Sequence, residues 1–145
     1  MNEVEPYVIK GGTYTDERGA LEFYNDFDMS QIKRVYFTTH FDKRSIRAWQ
    51  GHKIESRWLC SVKGGFHVKL IEIDDWANPS EQLRVIEYQL TSENQEILFI
   101  PNGFVSGFKA IQPNSKLMIM SDYRLGEIEN DELRFDKHKW SKWDS

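Results

Sequence analysis

The chain has 145 residues, a formal net charge of −4 and one cysteine, Cys60. This length supports one domain with its own core. The acidic balance argues against a nucleic-acid partner, which would require clustered positive charge. One cysteine excludes an internal disulfide, and no signal peptide or run of roughly 20 apolar residues is present. We therefore expect a cytoplasmic protein with neither a membrane nor a nucleic-acid partner.

Short β-rich runs follow one another along the chain, separated by turn signals. Residues 6–10 predict an edge strand that could cross to a partner, and residues 32–39 are rich in β-branched and aromatic side chains. Lys-Gly-Gly at 63–65 predicts a hairpin, because glycine supplies the positive φ of tight turns. The other predicted strands are 20–24, 58–62, 66–73, 84–90, 96–100, 105–111 and 116–121.

This pattern predicts the fold class. About ten short strands at near-regular spacing, without a convincing helical stripe, indicate an all-β sandwich, jelly roll or barrel. We expect one domain over residues 1–145. The last segment, 137–145, is charged and contains Trp140 and Trp143; we expect it to be a mobile tail.

Polar side chains are concentrated just before residues 58–62, the first of the two strands that the Lys-Gly-Gly turn joins. On an extended chain alternate residues share a face. One face would hold Arg47, Trp49, Gly51 and Lys53, and the other Ala48, Gln50, His52 and Ile54. We expect any chemistry to lie beside this segment.

The side chains of this region suit acid–base and anion chemistry. His52 has an ordinary pKa near neutrality, and Tyr36 and Tyr123 are phenol donors. Arginine binds phosphate through a bidentate fork, so Arg47 and Arg57 are candidate diphosphate contacts. Lys53 is a further candidate for binding an anion.

The same residues also have structural interpretations. His52 could be a hydrogen-bonded turn residue, and both tyrosines could be core or rim aromatics. The two arginines could pair with Glu22, Glu55 or Glu72. Trp49 and Trp58 are either packing residues or platforms on which a ring stacks.

A jelly roll with an aromatic lining resembles the cupin barrel, whose usual metal set is two histidines one residue apart, a glutamate and a later histidine. Here Gln50 precedes His52, and Ser106 stands at the later position. One histidine with Glu55 is a poor site for a first-row metal. With no nucleophile elbow and no phosphate-binding loop, we expect neither a metal nor a cofactor.

The order of several motifs resembles the sugar-nucleotide cupins, namely the dTDP-4-dehydrorhamnose 3,5-epimerases and the dTDP-4-oxo-hexose 3,4-ketoisomerases. Residues 16–19 (Asp-Glu-Arg-Gly) and 33–36 (Lys-Arg-Val-Tyr) are similar to that family's Asp-x-Arg-Gly turn and Arg-Val-Tyr strand. Residues 47–53 (Arg-Ala-Trp-Gln-Gly-His-Lys) are similar to its Arg-Gly-x-His-Ala-His-Lys motif. Residues 100–108 and 131–136 resemble the family's later segments.

The resemblance implies a fold, a reaction and residue roles. The fold is a jelly roll (double-stranded β-helix). The protein would be a homodimer that acts in surface-polysaccharide sugar biosynthesis. The reaction is cofactor-free proton transfer beside the keto group of a dTDP-linked 4-keto-6-deoxyhexose. By position, Arg47 matches the motif arginine, His52 the second motif histidine and Tyr36 the pocket tyrosine. Arg57 falls where the epimerases have a lysine.

The chain departs from the family pattern at several places, and one is Ala48, which replaces the glycine that follows the motif arginine. Gln50 replaces the first motif histidine, the family's base, and glutamine cannot take a proton at neutral pH. Ser106 replaces a pocket histidine, and the epimerases' tyrosine acid falls near Tyr123 or Arg124. Either His52 is the base with Tyr36 as the acid, or the protein is a non-catalytic sugar-binding cupin in which Gln50 bonds a hydroxyl.

Overall fold

A computed structural model describes residues 4–143 of the chain, and none of these residues is helical. The strands are β1 (Tyr7–Lys10), β2 (Gly12–Asp16), β3 (Gly19–Phe23), β4 (Arg34–His40), β5 (Ile46–Gly51), β6 (Arg57–Lys63), β7 (Gly65–Glu72), β8 (Ile86–Thr91), β9 (Glu96–Ile100), β10 (Phe104–Ala110), β11 (Ser115–Ser121) and β12 (Leu133–Arg134).

The strands form two five-stranded antiparallel sheets and one small hairpin. The first sheet has the order β1-β9-β6-β11-β4, the second has the order β12-β5-β10-β7-β8, and β2 pairs with β3. From β4 to β12, consecutive strands lie in different sheets except for β7 and β8, which pair with each other. This crossing between two sheets is the pattern of a jelly roll. The prediction of an all-β jelly roll is confirmed.

An apolar core fills much of the space between the two sheets. Its buried members are Leu59, Phe66, Val68, Leu70, Leu90, Leu98, Ile100, Phe104, Phe108, Ala110, Leu117 and Ile119. Burying one such large side chain contributes about 1.5–3 kcal/mol. Tyr36 packs at the border of this core, where the interior changes from apolar to polar.

The outer faces of the central strands are also covered. Trp58 and Cys60 of β6 pack under Tyr24, Phe27 and neighbouring residues on the outside of the first sheet. A second cluster covers the outside of the second sheet around Trp49. Strands buried on both faces are apolar without alternation, which explains the uninterrupted apolar residues 58–60 of β6.

The predicted hairpin at 63–65 is wrong. Strand β6 pairs with β9 and β11, whereas β7 pairs with β8 and β10. The Lys-Gly-Gly turn is therefore a corner between the two sheets. Gly64 has the expected positive φ of 68°. A positive φ occurs both in hairpin turns and in corners between sheets, so it does not determine which strands pair.

The strict alternation predicted for β5 is also wrong. Ser106 of β10 lies opposite Gln50, but Phe108 lies opposite Arg47. Strand β5 therefore has one extra residue at this point, a β-bulge, and the Ala48–Trp49 peptide is cis. A bulge redirects the side chains that follow it, so Gln50 lies on the same side as Arg47.

The last described residues pack onto the second sheet. The Trp143 ring lies 5.5 Å from the Trp49 ring, and Trp49 Nε1 donates to the Lys139 carbonyl at 2.8 Å. Lys69 Nζ donates to Ser141 Oγ and to the Lys142 carbonyl. This packing does not fit the mobile tail expected over 137–145, whose last two residues lie outside the described range.

Candidate active site

A cavity of about 290 Å³ lies between the sheets, beyond the apolar core. We call it the interior cavity. It is lined by Tyr36, Thr38, Ile46, Arg47, Ala48, Gln50, Arg57, Ser106, Phe108, Ile119 and Arg134. These residues come from six strands of both sheets, so only the folded barrel brings them together.

Three arginines give the interior cavity a positive lining. Arg57 Nε donates to Glu55 Oε2 at 2.8 Å, and Arg134 Nη2 lies 3.2 Å from Glu132 Oε1. Among residues 4–143, Arg47 has no carboxylate within ion-pair distance. A guanidinium without a carboxylate partner at a cavity wall suits an anionic ligand such as a diphosphate.

Tyr36 is held between two guanidinium groups. The Arg34 and Arg57 guanidinium carbons lie 4.7 and 5.9 Å from the centre of its ring. Such cation–π contacts fix an aromatic ring in place and favour a negative oxygen nearby. The expected interpretations of Tyr36 as a cavity residue and as a rim aromatic are therefore compatible.

Gln50 is hydrogen-bonded to Glu132, a residue that was not among the candidates from the sequence. Its Nε2 donates a short hydrogen bond to Glu132 Oε1, and the Ser106 Oγ donates to the Gln50 carbonyl at 3.5 Å. Strand β12 pairs with β5, with Arg134 opposite Gln50. This pairing brings Glu132 and Arg134 to the cavity; their only sequence signal was the similarity of residues 131–136 to a family segment.

A neighbouring cavity of about 160 Å³ adjoins the interior cavity at Arg57, which lines both. Its remaining lining residues are Arg34, His52, Glu55, Arg124, Leu125, Gly126, Ile128, Asp131 and Glu132. Charges of both signs alternate around it. The two cavities together bring most of the predicted polar residues into one region.

His52 lies in the neighbouring cavity and is 6% exposed. Its Nδ1 lies 3.6 Å from Asp131 Oδ2, and neither ring nitrogen makes a hydrogen bond to another described residue. Burial and then the Arg57 charge lower the pKa of His52, against the opposing effect of Glu55 and Asp131. The imidazole is therefore neutral at pH 7 and faces the neighbouring cavity.

The loop that carries His52 is fixed by one carboxylate. Asp131 accepts hydrogen bonds from the backbone N–H groups of Lys53, Ile54 and Glu55, at 2.8, 3.0 and 2.9 Å. Asn102 Nδ2 donates to the Lys53 carbonyl at 2.9 Å. The Lys53 side chain is exposed and lines neither cavity, so its contribution to the site is through its backbone.

His52, Glu55 and Asp131 form a group of possible metal ligands, with donor atoms within 4.8 Å of one another. The Asp131 oxygens already accept the three backbone N–H groups, and Glu55 Oε2 accepts from Arg57. Burial raises the pKa of Glu55, but the charge and the hydrogen bond of Arg57 outweigh it, so the pKa is lowered. This donor set, with a guanidinium beside it, does not fit a divalent cation.

Five of the nine predicted site residues meet at the interior cavity: Tyr36, Arg47, Gln50, Arg57 and Ser106. The structure also brings Arg124, rather than Tyr123, to the neighbouring cavity. Trp49 is 1% exposed and packs against Trp140 and Trp143 outside the barrel. Trp58 packs against Phe27 and Phe99. Both tryptophans are therefore packing residues.

No family model matches this sequence, and no curated protein is significantly similar to it. Solved structures of the same fold were found. A dTDP-4-dehydrorhamnose 3,5-epimerase from Bacillus anthracis str. Ames, with TDP and PPi bound, is 14% identical with a TM-score of 0.72; the match covers 88% of this chain and 77% of the epimerase.

Two ketoisomerases are also similar. The 3,4-ketoisomerase from Helicobacter canadensis is 17% identical with a TM-score of 0.70, and the match covers 92% of each chain. A mutant 3,4-ketoisomerase from Thermoanaerobacterium thermosaccharolyticum, in complex with TDP-4-keto-6-deoxyglucose, is 24% identical with a TM-score of 0.65, over 90% of this chain and 87% of the other. This chain thus has the jelly-roll fold of dTDP-sugar epimerases and ketoisomerases.

Proposed function

We propose that this protein is an isomerase or epimerase of a nucleotide-linked 4-keto-6-deoxyhexose. The observation that carries the proposal is the interior cavity, where Arg47, Arg57 and Arg134 surround Tyr36 and Gln50. The same fold binds TDP in the Bacillus anthracis epimerase and TDP-4-keto-6-deoxyglucose in the Thermoanaerobacterium thermosaccharolyticum mutant. The arginines of the cavity suit the diphosphate of such a ligand, and Tyr36 and Gln50 suit its sugar.

The arginines would act on the charged parts of the ligand. Arg47, which has no ion-pair partner among the described residues, and Arg57 would bind the diphosphate through charge-assisted hydrogen bonds. Removing a proton beside a ketone places negative charge on the keto oxygen. Guanidinium groups held in fixed positions stabilise this developing charge. The reaction needs no electron acceptor, so the proposal includes neither a cofactor nor a metal.

The proton donor in this proposal is Tyr36. Its ring is fixed by two guanidinium groups, and a phenol held in position can donate a proton to a developing carbanion. His52 is the candidate base by position in the motif, and it is neutral and able to accept a proton. It would act on a substrate that extends past Arg57 into the neighbouring cavity.

A homodimer in the cytoplasm, working in polysaccharide sugar biosynthesis, completes the proposal. The side chains of Val35, Phe37 and Val62 are 53%, 55% and 42% exposed on the outer face of the first sheet, and β1 is the edge strand of that sheet. Exposed apolar patches on sheets suit contact with a second copy. Sedimentation at the mass of one 17.2 kDa chain at micromolar concentration would contradict the dimer.

A second candidate function is non-catalytic binding of a sugar nucleotide. It is favoured by one observation: among the residues that line the interior cavity none is a histidine or a carboxylate. Gln50 can donate to a hydroxyl and accept from one but cannot remove a proton from carbon. A protein that only binds would still use the arginines for the diphosphate.

Proton exchange in heavy water separates the two functions. The purified protein is incubated with dTDP-4-keto-6-deoxyglucose in D₂O, and NMR follows C3, C4 and C5 of the sugar. Deuterium at C4 of a new 3-keto sugar indicates a ketoisomerase, deuterium at C3 of a 4-keto sugar indicates a 3-epimerase, and deuterium at both C3 and C5 indicates a 3,5-epimerase. Binding of TDP without exchange would contradict the enzyme and support the binding protein, and absence of binding would contradict both.

A further inference from the structure

We propose that Glu132 is the general base of this site, in the place of the histidine that Gln50 replaces. The inference rests on the proposed isomerase function. A carboxylate can remove a proton from carbon beside a ketone, as glutamate and aspartate do in other isomerases. Such a carboxylate must lie where it can reach the bound ligand.

The hydrogen bonds of Glu132 place it at the junction of the two cavities. Its Oε1 accepts from Gln50 Nε2 and lies 3.2 Å from Arg134 Nη2. Gln50 and Arg134 both line the interior cavity, and Glu132 itself lines the neighbouring cavity. A carboxylate held by these two side chains therefore stands at the opening between the cavities.

One oxygen of Glu132 remains available for a proton. Among the described residues, the hydrogen bond and the ion pair both use Oε1. The side chain is 57% exposed, so Oε2 is accessible to a bound ligand. The two contacts at Oε1 orient the carboxylate without occupying both oxygens, which is the arrangement that a general base requires.

The other acidic groups of the region are already engaged. Asp131 is 5% exposed and accepts three backbone N–H groups. Glu55 is 9% exposed and accepts from the Arg57 guanidinium. His52 is buried beside Asp131 and lines the neighbouring cavity, not the interior cavity. Of these candidates, Glu132 combines a free oxygen with direct contact to residues of that cavity.

The chemical step is balanced without a co-reactant. Glu132 Oε2 takes the proton from the carbon beside the keto group, and the electrons of that C–H bond form the C=C bond of an enolate. The keto oxygen becomes the enolate oxygen, which faces the arginines. A proton returns to the same carbon from Tyr36 or from the protonated Glu132. The electrons of the C=C bond form the new C–H bond, and an electron pair of the enolate oxygen forms the C=O bond again.

The test is the substitution Glu132→Gln, which keeps an oxygen that accepts from Gln50 and removes the base. Positioned acid–base groups contribute about 10²–10⁴-fold, so we expect deuterium exchange in D₂O to fall by about that factor. The dissociation constant for TDP should stay within about threefold, because no diphosphate contact changes. Glu129→Gln, at an exposed position, is the matched control and should exchange at the wild-type rate.

A second variant distinguishes loss of the base from a folding defect. Glu132→Asp keeps the carboxylate but withdraws it by one methylene, so exchange should fall less than in Glu132→Gln. If Glu132→Gln binds TDP and exchanges at the wild-type rate while His52→Asn is inactive, Glu132 is not the base and the proposed isomerase stands. If the wild-type protein binds TDP without exchange, the isomerase proposal fails, and the Glu132 proposal fails with it.

Discussion

His40 is a buried histidine next to the candidate site. It is 3% exposed, and its ring lies 5.3 Å from that of Phe66 and 5.5 Å from that of Phe108. Burial and then the Arg47 charge lower the pKa of His40, and Asp42 opposes the shift. The folded protein therefore keeps this imidazole neutral at a pH where the unfolded chain would be protonated.

This difference predicts acid sensitivity. Between the ordinary histidine pKa of about 6.5 and the lower folded value, the unfolded state binds more protons, so stability falls as the pH falls. We expect the free energy of unfolding in urea to decrease from about pH 7.5 to 5. His40→Phe should show a shallower decrease, because one of the two buried histidines with a lowered pKa is then removed. The exposed His67→Gln variant should keep the wild-type slope, and an unchanged slope in His40→Phe would contradict the prediction.

Arg47 permits a direct test of the diphosphate contact. It lines the interior cavity without an ion-pair partner among the described residues, so Arg47→Ala leaves no buried carboxylate unpaired. Charge-assisted hydrogen bonds contribute about 1.5–3 kcal/mol, which predicts TDP binding weaker by about 10–100-fold. Calorimetry at two salt concentrations should also show reduced salt dependence. Arg44→Ala, whose guanidinium is exposed beside Asp42, is the control; equal affinity in both variants would exclude the contact.

At the scale of elements, the corner between β6 and β7 depends on Gly64. Its φ is 68°, and a Cβ at this position would lie 2.2 Å from Ser115 Oγ. Ser115 is fully buried, accepts from the Gly65 N–H and donates to the Gln112 carbonyl. These bonds keep Ser115 from moving away, so the corner has no room for a side chain.

The expected result is a larger loss for Gly64→Ala than for Gly126→Ala. Gly126 has a similar positive φ of 79° but nothing within 4 Å of a Cβ. The backbone conformation alone costs about 1–2 kcal/mol for alanine, which is the loss expected at Gly126. Gly64→Ala should lose at least about 1 kcal/mol more in chemical unfolding because of the clash. Equal losses in the two variants would show that Ser115 adapts.

The second element that matters for the site is the bulged strand β5. It turns Gln50 towards the interior cavity and Trp49 towards the outside. Opposite the bulge stands Gly107, where a Cβ would lie 2.6 Å from Ala48 Cβ and 2.7 Å from the Trp143 ring. A residue count along an extended strand cannot reveal such an insertion, because the bulge depends on the partner strand β10.

At the scale of the whole molecule, the C-terminal segment stabilises the sheet that carries the site. Trp143 is 8% exposed and contacts Trp49 from the outside of the second sheet. Lys69 Nζ lies 4.5 Å from the centre of the Trp143 ring, and Lys109 Nζ donates to the Trp143 carbonyl at 3.0 Å. The basic side chains of β7 and β10 thus secure the segment to the sheet.

We expect Trp143→Ala to lower the free energy of unfolding by about 3–5 kcal/mol, the usual cost of removing a buried aromatic side chain. Trp143→Phe should recover part of this loss. Phe41→Ala is the control, because Phe41 is 79% exposed and should change stability by less than about 0.5 kcal/mol. A loss below about 1 kcal/mol in Trp143→Ala would mean that the segment does not stabilise the sheet.

The sequence by itself determined the all-β fold class, because short β-rich runs and turn residues are local signals that need no knowledge of partners. It also indicated Tyr36, Arg47, Gln50, Arg57 and Ser106, which lie together in the interior cavity. Only the tertiary structure decided which strands pair, where β5 bulges and which way Trp49 points. Glu132 and Arg134 enter the site through the pairing of β12 with β5, about 80 residues away in the chain. Such contacts depend on the register between distant strands, and no local pattern encodes that register.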